Sequence, residues 1–325
     1  MSANFNVNLT KNIKFNSYLL IETVLVFAAL VAAANFVWHL ETAWKWALYF
    51  PVLIAQGLWL DRIYIVGHET THGKLFPNNR RFNELCGMLM LLPLMVPLQV
   101  YRKIHQFHHG FNRRDAHTSA LDTFVSRKPV SGIRRVWYQA LWYLGIFGSG
   151  YFWHSLGAIV IFLFLPTAAA TRISPAFRHW RGRDRLISWG QFLLGLAFHT
   201  LFYLLGGFTF WLVSLALPML VFAWIWSLLV YIFHYDTSIG PEVRYNVRSL
   251  PRHWFFSWLL MNFNEHATHH AFPGVPWYEL PAKRIELPEK YLSNQNVGTL
   301  WQAVRQQFKG ARIVYEPEVA PRPAD

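Results

Sequence analysis

Apolar residues along this chain neither alternate at the period of a half-buried strand nor keep to one stripe of a helix. They arrive in runs long enough to cross a bilayer. The first run, residues 18–38, is followed by the aromatic cluster Trp38, Trp44 and Trp46 and then by a second run over 44–66, which predicts a helical hairpin. Runs over 186–205 and 208–233, separated by Gly206 and Gly207, predict a second hairpin. Four spans place both chain ends on one side.

Two further apolar stretches are read as in-plane or re-entrant. Residues 85–101 are too few and contain Pro93 and Pro97, while a crossing by 136–165 would strand the arginines from Arg172 to Arg185 on the outer face. The expected fold is therefore a single all-α domain over residues 1–325: a polytopic membrane protein with four transmembrane helices in two hairpins, capped by helical segments on one side, with a frayed tail over 317–325. Ala32 to Ala34 faintly resembles a signal cleavage site, but Glu22 within the run and Trp38 beyond it favour an uncut anchor.

Charge orients this layout. Of the 30 Lys and Arg, 2 precede the first span, 16 lie between residues 67 and 185 and 10 follow residue 233, so 28 share one side and only Lys45 and Arg62 fall elsewhere. Basic residues mark the cytoplasmic side, which then holds the termini and the cap. Counting 14 acidic residues there, that face carries a net +14. Topology determination explains the excess most simply, and the same field would attract acidic headgroups, an acidic electron donor or an acyl carrier protein. No nucleic-acid partner is expected.

Composition excludes other classes. With 54% hydrophobic, 18% aromatic and 14% charged residues, the chain lacks the charge of a soluble surface. Its single Cys86 allows neither an internal disulfide nor a Cys-based zinc or iron–sulfur site, so any metal falls to other side chains, of which the 15 His are the obvious supply.

Eight His fall in three clusters, all on the cytoplasmic side: His68 and His72 in HETTH, His105, His108 and His109 in HQFHH, and His266, His269 and His270 in HATHH. Chance at this composition gives about 0.03 His-x-x-His-His per chain, yet the chain has two. Residues three or four apart share a helix face, so each cluster can present imidazoles to a common point, and eight exceed what one ion takes. Two metals are expected, with His234 as a candidate ninth ligand. His39, His117, His154, His179, His199 and His253 are isolated and are read as structural.

The third cluster is predicted on one helix that starts near Ser249 and Pro251 and stops before Pro273, which puts Asn262 on the face of His266 as a group that could hold a metal-bound water. Asp61 precedes His68 by two turns and could orient an imidazole, or it could pair with Arg62. HETTH also fits the zinc-protease pattern, with Glu69 activating water, but that reading leaves most clustered His without a role. Only Glu69 to His72 forms a Glu-x-x-His, which disfavours a carboxylate-bridged soluble-type di-iron bundle. A His-rich metal carrier would need an ion path, and the spans hold few ionisable residues.

The stretches HETTHGKLFPNNRRFN, LPLMVPLQVYRKIHQFHH and NFNEHATHHAFPGVPWYELP, in this order and with spans between them, resemble the membrane fatty acid desaturase and hydroxylase superfamily over about residues 18–281. The resemblance implies a non-haem di-iron centre with O2 as co-substrate. It carries His68, His72, His105, His108, His109, His266, His269 and His270 over as iron ligands, matches His234 to an extra ligand before the third box, and matches Asn262 to the Asn that often precedes it. It implies desaturation of a fatty acyl chain linked to lipid, CoA or acyl carrier protein, or else hydroxylation or ketolation of an acyl, sphingoid or carotenoid substrate. The chain carries no His-Pro-Gly-Gly cytochrome b5 signature, so a separate donor of the ferredoxin or cytochrome b5 type is expected.

Overall fold

The computed structural model describes residues 8–115, 123–126 and 128–315. The tail over 317–325 and His117 lie outside them. Helix α1 (Leu9–Trp38) starts at Asn8, whose side chain accepts from the Lys11 amide, and α2 (Lys45–Thr71) packs back along it. Both outrun the apolar stretches towards the same end, so the HETTH residues ride on a rigid extension of α2 rather than on a loop.

Helix α8 (Gly182–Trp211) runs on through one π-helical turn into α9 (Leu217–Val230). The continuity is only apparent. Trp211 Nε1 donates to His199 Nδ1 at 3.1 Å, although twelve residues on a straight helix span about 18 Å. The chain reverses at Gly207, whose φ of 73° and ψ of −170° suit a residue without Cβ. The second hairpin is thus present, its outgoing helix ending at Val230 rather than at 233. Its turn meets that of the first hairpin, where Asn35 Nδ2 donates to Ser214 Oγ at 2.8 Å. All clustered His lie at the opposite end.

The two remaining apolar stretches bend instead of crossing straight. Helix α3 (Arg80–Leu91), extended by a short turn to Leu94, meets α4 (Leu98–Phe111) at 98°, with Met95 left-handed at φ 53° between the two prolines. Helix α5 (Gly132–Leu144) and the π-helical turn after it meet the segment leading into α6 (Gly157–Phe164) at 88°, and the short α7 (Thr167–Ile173) follows. The bends touch inside the molecule, where the Tyr151 hydroxyl donates to the Leu94 carbonyl at 3.2 Å. The outer faces of the long helices stay apolar and uncovered: Leu25 is 63% exposed, Phe36 70% and Leu204 74%. Bilayer lipid would cover such surface; water would not.

Two expectations are corrected. The single helix expected to carry the third cluster is two short ones, α10 (Trp254–Leu259) and α11 (His266–Ala271), separated by left-handed Met261 (φ 51°) and Asn262 (φ 56°). Arg62 explains the stop, since its guanidinium donates to the carbonyls of Trp258 and Leu259, the acceptors that would otherwise end the last turn of α10. The fold is also not purely helical: β1 (Thr123–Ser126) pairs in parallel with β2 (Arg312–Tyr315), Thr123 opposite Arg312. Short helix α12 (Leu300–Gln306) packs its buried side with Val247, Leu250 and Tyr291 in a small core beneath the clustered His.

Candidate metal centre

Nine imidazoles converge in two groups, in each of which one nitrogen from every ring lies within 4.8 Å of the others. His68, His72, His105, His109 and His269 form the first; His108, His234, His266 and His270 form the second. Helix α4 serves both because its 3.6-residue turn splits adjacent His108 and His109 between two sides. Helix α11 does the same with His269 against His266 and His270. The ring of His109 stacks on that of His270 at 4.3 Å, so the groups adjoin.

Hydrogen bonding does not explain this packing. His105 Nε2 lies 2.8 Å from His68 Nε2, 2.8 Å from His72 Nε2 and 2.9 Å from His109 Nε2. One ring nitrogen has a single proton or a single lone pair and cannot serve three partners. Nitrogens bound at about 2.1 Å to a common ion and about 90° apart would stand about 3.0 Å from each other. The second group repeats the spacing, with His234 and His266 Nε2 3.0 Å apart, and both ring nitrogens of His270 are buried without a hydrogen-bond partner. An all-imidazole donor set suits a divalent transition metal such as iron. The residues fit two such ions.

Burial keeps the rings neutral, which leaves their lone pairs free. It holds His105, His109, His234, His266, His269 and His270 well below the ordinary imidazole range, with neighbouring imidazoles adding to the effect. It lowers His108 to about 4 and His72 to about 3.

Among the described residues, polar groups surround the rings without hydrogen-bonding to them. Glu69 Oε1 stands 3.7 Å from His68 Nδ1, while its Oε2 accepts from the Trp277 amide at 3.3 Å. Trp277 is fixed in turn by Asn16, which accepts from its indole at 2.9 Å, and by Asn262, whose Nδ2 donates to its carbonyl at 3.3 Å. Asn262 therefore acts at a remove from the His rather than on their helical face. Asp61 makes no hydrogen bond to an imidazole, and Arg62 pairs at 2.6 Å with Glu22 instead.

Two buried arginines that no motif announces, Arg113 and Arg248, support the turn that carries His234. Arg113 donates to the carbonyls of Thr237 and Ser238, and Arg248 to that of Tyr235, while Thr237 Oγ1 donates to the His234 carbonyl at 2.8 Å. Of the isolated His, His39 bonds the Asn35 carbonyl, His199 lies between the Pro93 carbonyl and Trp211, and His253 and His179 stand apart from both groups. His154 bonds the Tyr231 hydroxyl at 3.1 Å.

Both groups border one largely apolar cavity of about 290 Å³. His68 and His105 reach it from the first group, and His108, His234 and His266 from the second. Its walls come from α2, α9 and both bent segments, with Val96, Val100, Ile159 and Trp226 among them. On its other side His72 borders a polar cleft with Arg80, Glu84 and Arg102, the last two paired at 2.7 Å.

Comparison with known proteins agrees with this geometry. The sequence pattern described as fatty acid desaturase matches residues 42–299. The chain is 27% identical over 250 residues to a Synechocystis sp. protein named sn-1 acyl-lipid omega-3 desaturase (ferredoxin), covering 73% of this chain and 66% of that one. A Nostoc sp. protein of the same name is 24% identical over 294 residues, covering 85% and 74%. A Brassica napus chloroplastic omega-3 fatty acid desaturase is 34% identical over 96 residues, which is 30% of this chain and 22% of that protein.

Proposed function

The chain belongs to the fatty acid desaturase family, and from that premise we propose that it is an O2-dependent di-iron oxidoreductase that desaturates a lipid-linked fatty acyl chain. One observation carries the reading: a single apolar cavity touches both groups of imidazoles. An unactivated methylene has no acidic proton and no electrophilic carbon, so side-chain acids, bases and nucleophiles cannot attack it. When bound, the iron pair supplies an O2-derived oxidant able to remove hydrogen atoms from such a carbon.

In this reading the five-His and four-His groups each hold one iron. His68 and His105 on one side and His108, His234 and His266 on the other face the chain between them. The walls formed by Val96, Val100, Ile159 and Trp226 exclude water and fix which carbons lie against the histidines. Glu69 lies beside His68 at 3.7 Å, and Asn262 holds the Trp277 segment whose amide bonds Glu69.

We further propose that α1, α2, α8 and α9 are the four membrane crossings, with termini and histidines on the cytoplasmic side. The basic excess lies at that end, and the exposed apolar flanks of the helices support the placement. The donor is then a separate acidic protein that approaches the cytoplasmic face. The Synechocystis sp. and Nostoc sp. relatives carry ferredoxin in their names, which favours a ferredoxin over a cytochrome b5.

The test is product mass. Expression with ferredoxin and its reductase, followed by mass spectrometry of the lipids, is expected to reveal an acyl product lighter by two hydrogens. Gain of one oxygen would instead identify a hydroxylase, and unchanged lipids would refute both.

A further inference from the structure

One carboxyl residue, Asp61, lines the largely apolar cavity. On α2 its lining runs through Asp61, Tyr64, Ile65 and His68. Asp61 is therefore seven residues, about 10.5 Å along the helix axis, from His68, and it is the lining residue of α2 most distant from the histidines. It is 4% exposed, and among the described residues no hydrogen bond or ion pair reaches it. Arg62 beside it turns to the other face of α2 and is engaged by Glu22 and the carbonyls at the end of α10.

Tyr64 and Tyr101 share the lining but make no hydrogen bond to Asp61, and a buried carboxyl group without a hydrogen-bond partner is held there at a cost in free energy. A plain hydrocarbon chain seated in the cavity would strip away its remaining contact with water and leave it worse off. A chain with a hydroxyl at that depth reverses the balance, because the O–H donates to the carboxyl oxygen. An ammonium would also donate, but it brings a second charge out of water and adds a desolvation penalty of its own. An extended carbon chain advances about 1.3 Å per bond, so the separation from His68 corresponds to about eight bonds.

We propose that Asp61 is a recognition point for a hydroxyl group on the substrate, carried about eight bonds beyond the carbons that face the histidines. The preferred substrate is then a hydroxylated acyl chain rather than a plain one. This inference rests on the acyl-oxidising reading of the site.

The test uses a plain acyl chain and a series of monohydroxylated chains of equal length, with the full chain in detergent. Equilibrium binding is measured first. Turnover is then measured on the same chains with the iron-loaded protein and reduced ferredoxin. One hydroxyl position is expected to bind about 10- to 100-fold more tightly than the plain chain, the strength of a hydrogen bond to a charged group. Asp61→Leu is expected to abolish that preference, and Asp61→Asn, which keeps an acceptor, to retain part of it. Equal binding of all chains, tighter binding of the plain chain, or a preference that survives Asp61→Leu overturns the proposal. If a hydroxylated chain is preferred but nothing is oxidised, the acyl-oxidation reading fails while the hydroxyl site stands.

Discussion

Gly87 sits where α3 presses on the last turns of α2, between His68 and His72. A Cβ added there would lie 2.1 Å from Thr70 Oγ1, 2.7 Å from Thr70 Cβ and 3.0 Å from Leu98 Cδ2. Thr70 is fully buried, and its hydroxyl donates to the Gly67 carbonyl at 2.6 Å, so it cannot swing aside without leaving a buried group unpaired. Overpacking of this kind costs about 1 to 3 kcal/mol, and displacing the Thr70 bond adds about 1 kcal/mol or more. Alanine recovers up to about 1 kcal/mol of helix propensity. Gly87→Ala is therefore expected to destabilise the protein by about 2 kcal/mol. Because the strain falls on the turn that carries His68 and His72, the five-His group should also lose metal affinity. Gly190→Ala in α8, whose added Cβ meets nothing within 4 Å, is the matched control and should be neutral or stabilising. Thermal unfolding in detergent with iron content read on the same samples measures both effects. Pairing Gly87→Ala with Thr70→Ala should restore part of the loss. A Gly87→Ala protein as stable and as iron-rich as wild type would refute the packing argument.

His266→Ala or His270→Ala should lower iron to about one atom per chain and abolish turnover without affecting membrane insertion, because the second group has only four imidazoles. Metal analysis of washed membranes would check this. Val100→Phe or Ile159→Phe fills the cavity from opposite bent segments and should shorten the longest acyl chain accepted while leaving iron content unchanged, as read from binding of a chain-length series. The metal-free protein should weaken in acid. Its buried imidazoles are neutral when folded but take up protons when unfolded, so their contribution is complete above the ordinary value near 6.5 and falls away below it, down to about 4 for His108 and about 3 for His72. Melting temperature against pH measures the slope, and a metal-free protein equally stable at pH 5 and pH 7.5 would contradict it.

Much of the scaffold could be read from local chemistry. Apolar runs mark the long helices, Gly206 and Gly207 mark the reversal, and Pro93 and Pro97 mark the first bend, because each acts on its own stretch of backbone. The break in the third His segment could not be read this way. Arg62, some 200 residues away, caps α10, and Trp277 holds Asn262 from beyond the His cluster. Arg62 did leave a trace, as one of only two basic residues outside the cytoplasmic set. The β1–β2 pair joins segments from opposite halves of the chain, so no local pattern announces it. The gathering of His was legible in their spacing. Their division was not, since His105, His108 and His109 lie on neighbouring faces of α4 and only α11 and the His234 turn decide which ring meets which partner.

Metal content of the full chain, purified from iron-replete membranes and measured by elemental analysis, tests the central claim most directly. Nine imidazoles arranged as five and four predict close to two iron atoms per chain and little else. One zinc atom per chain, or a variable mixture of metals at fractional occupancy, would contradict it.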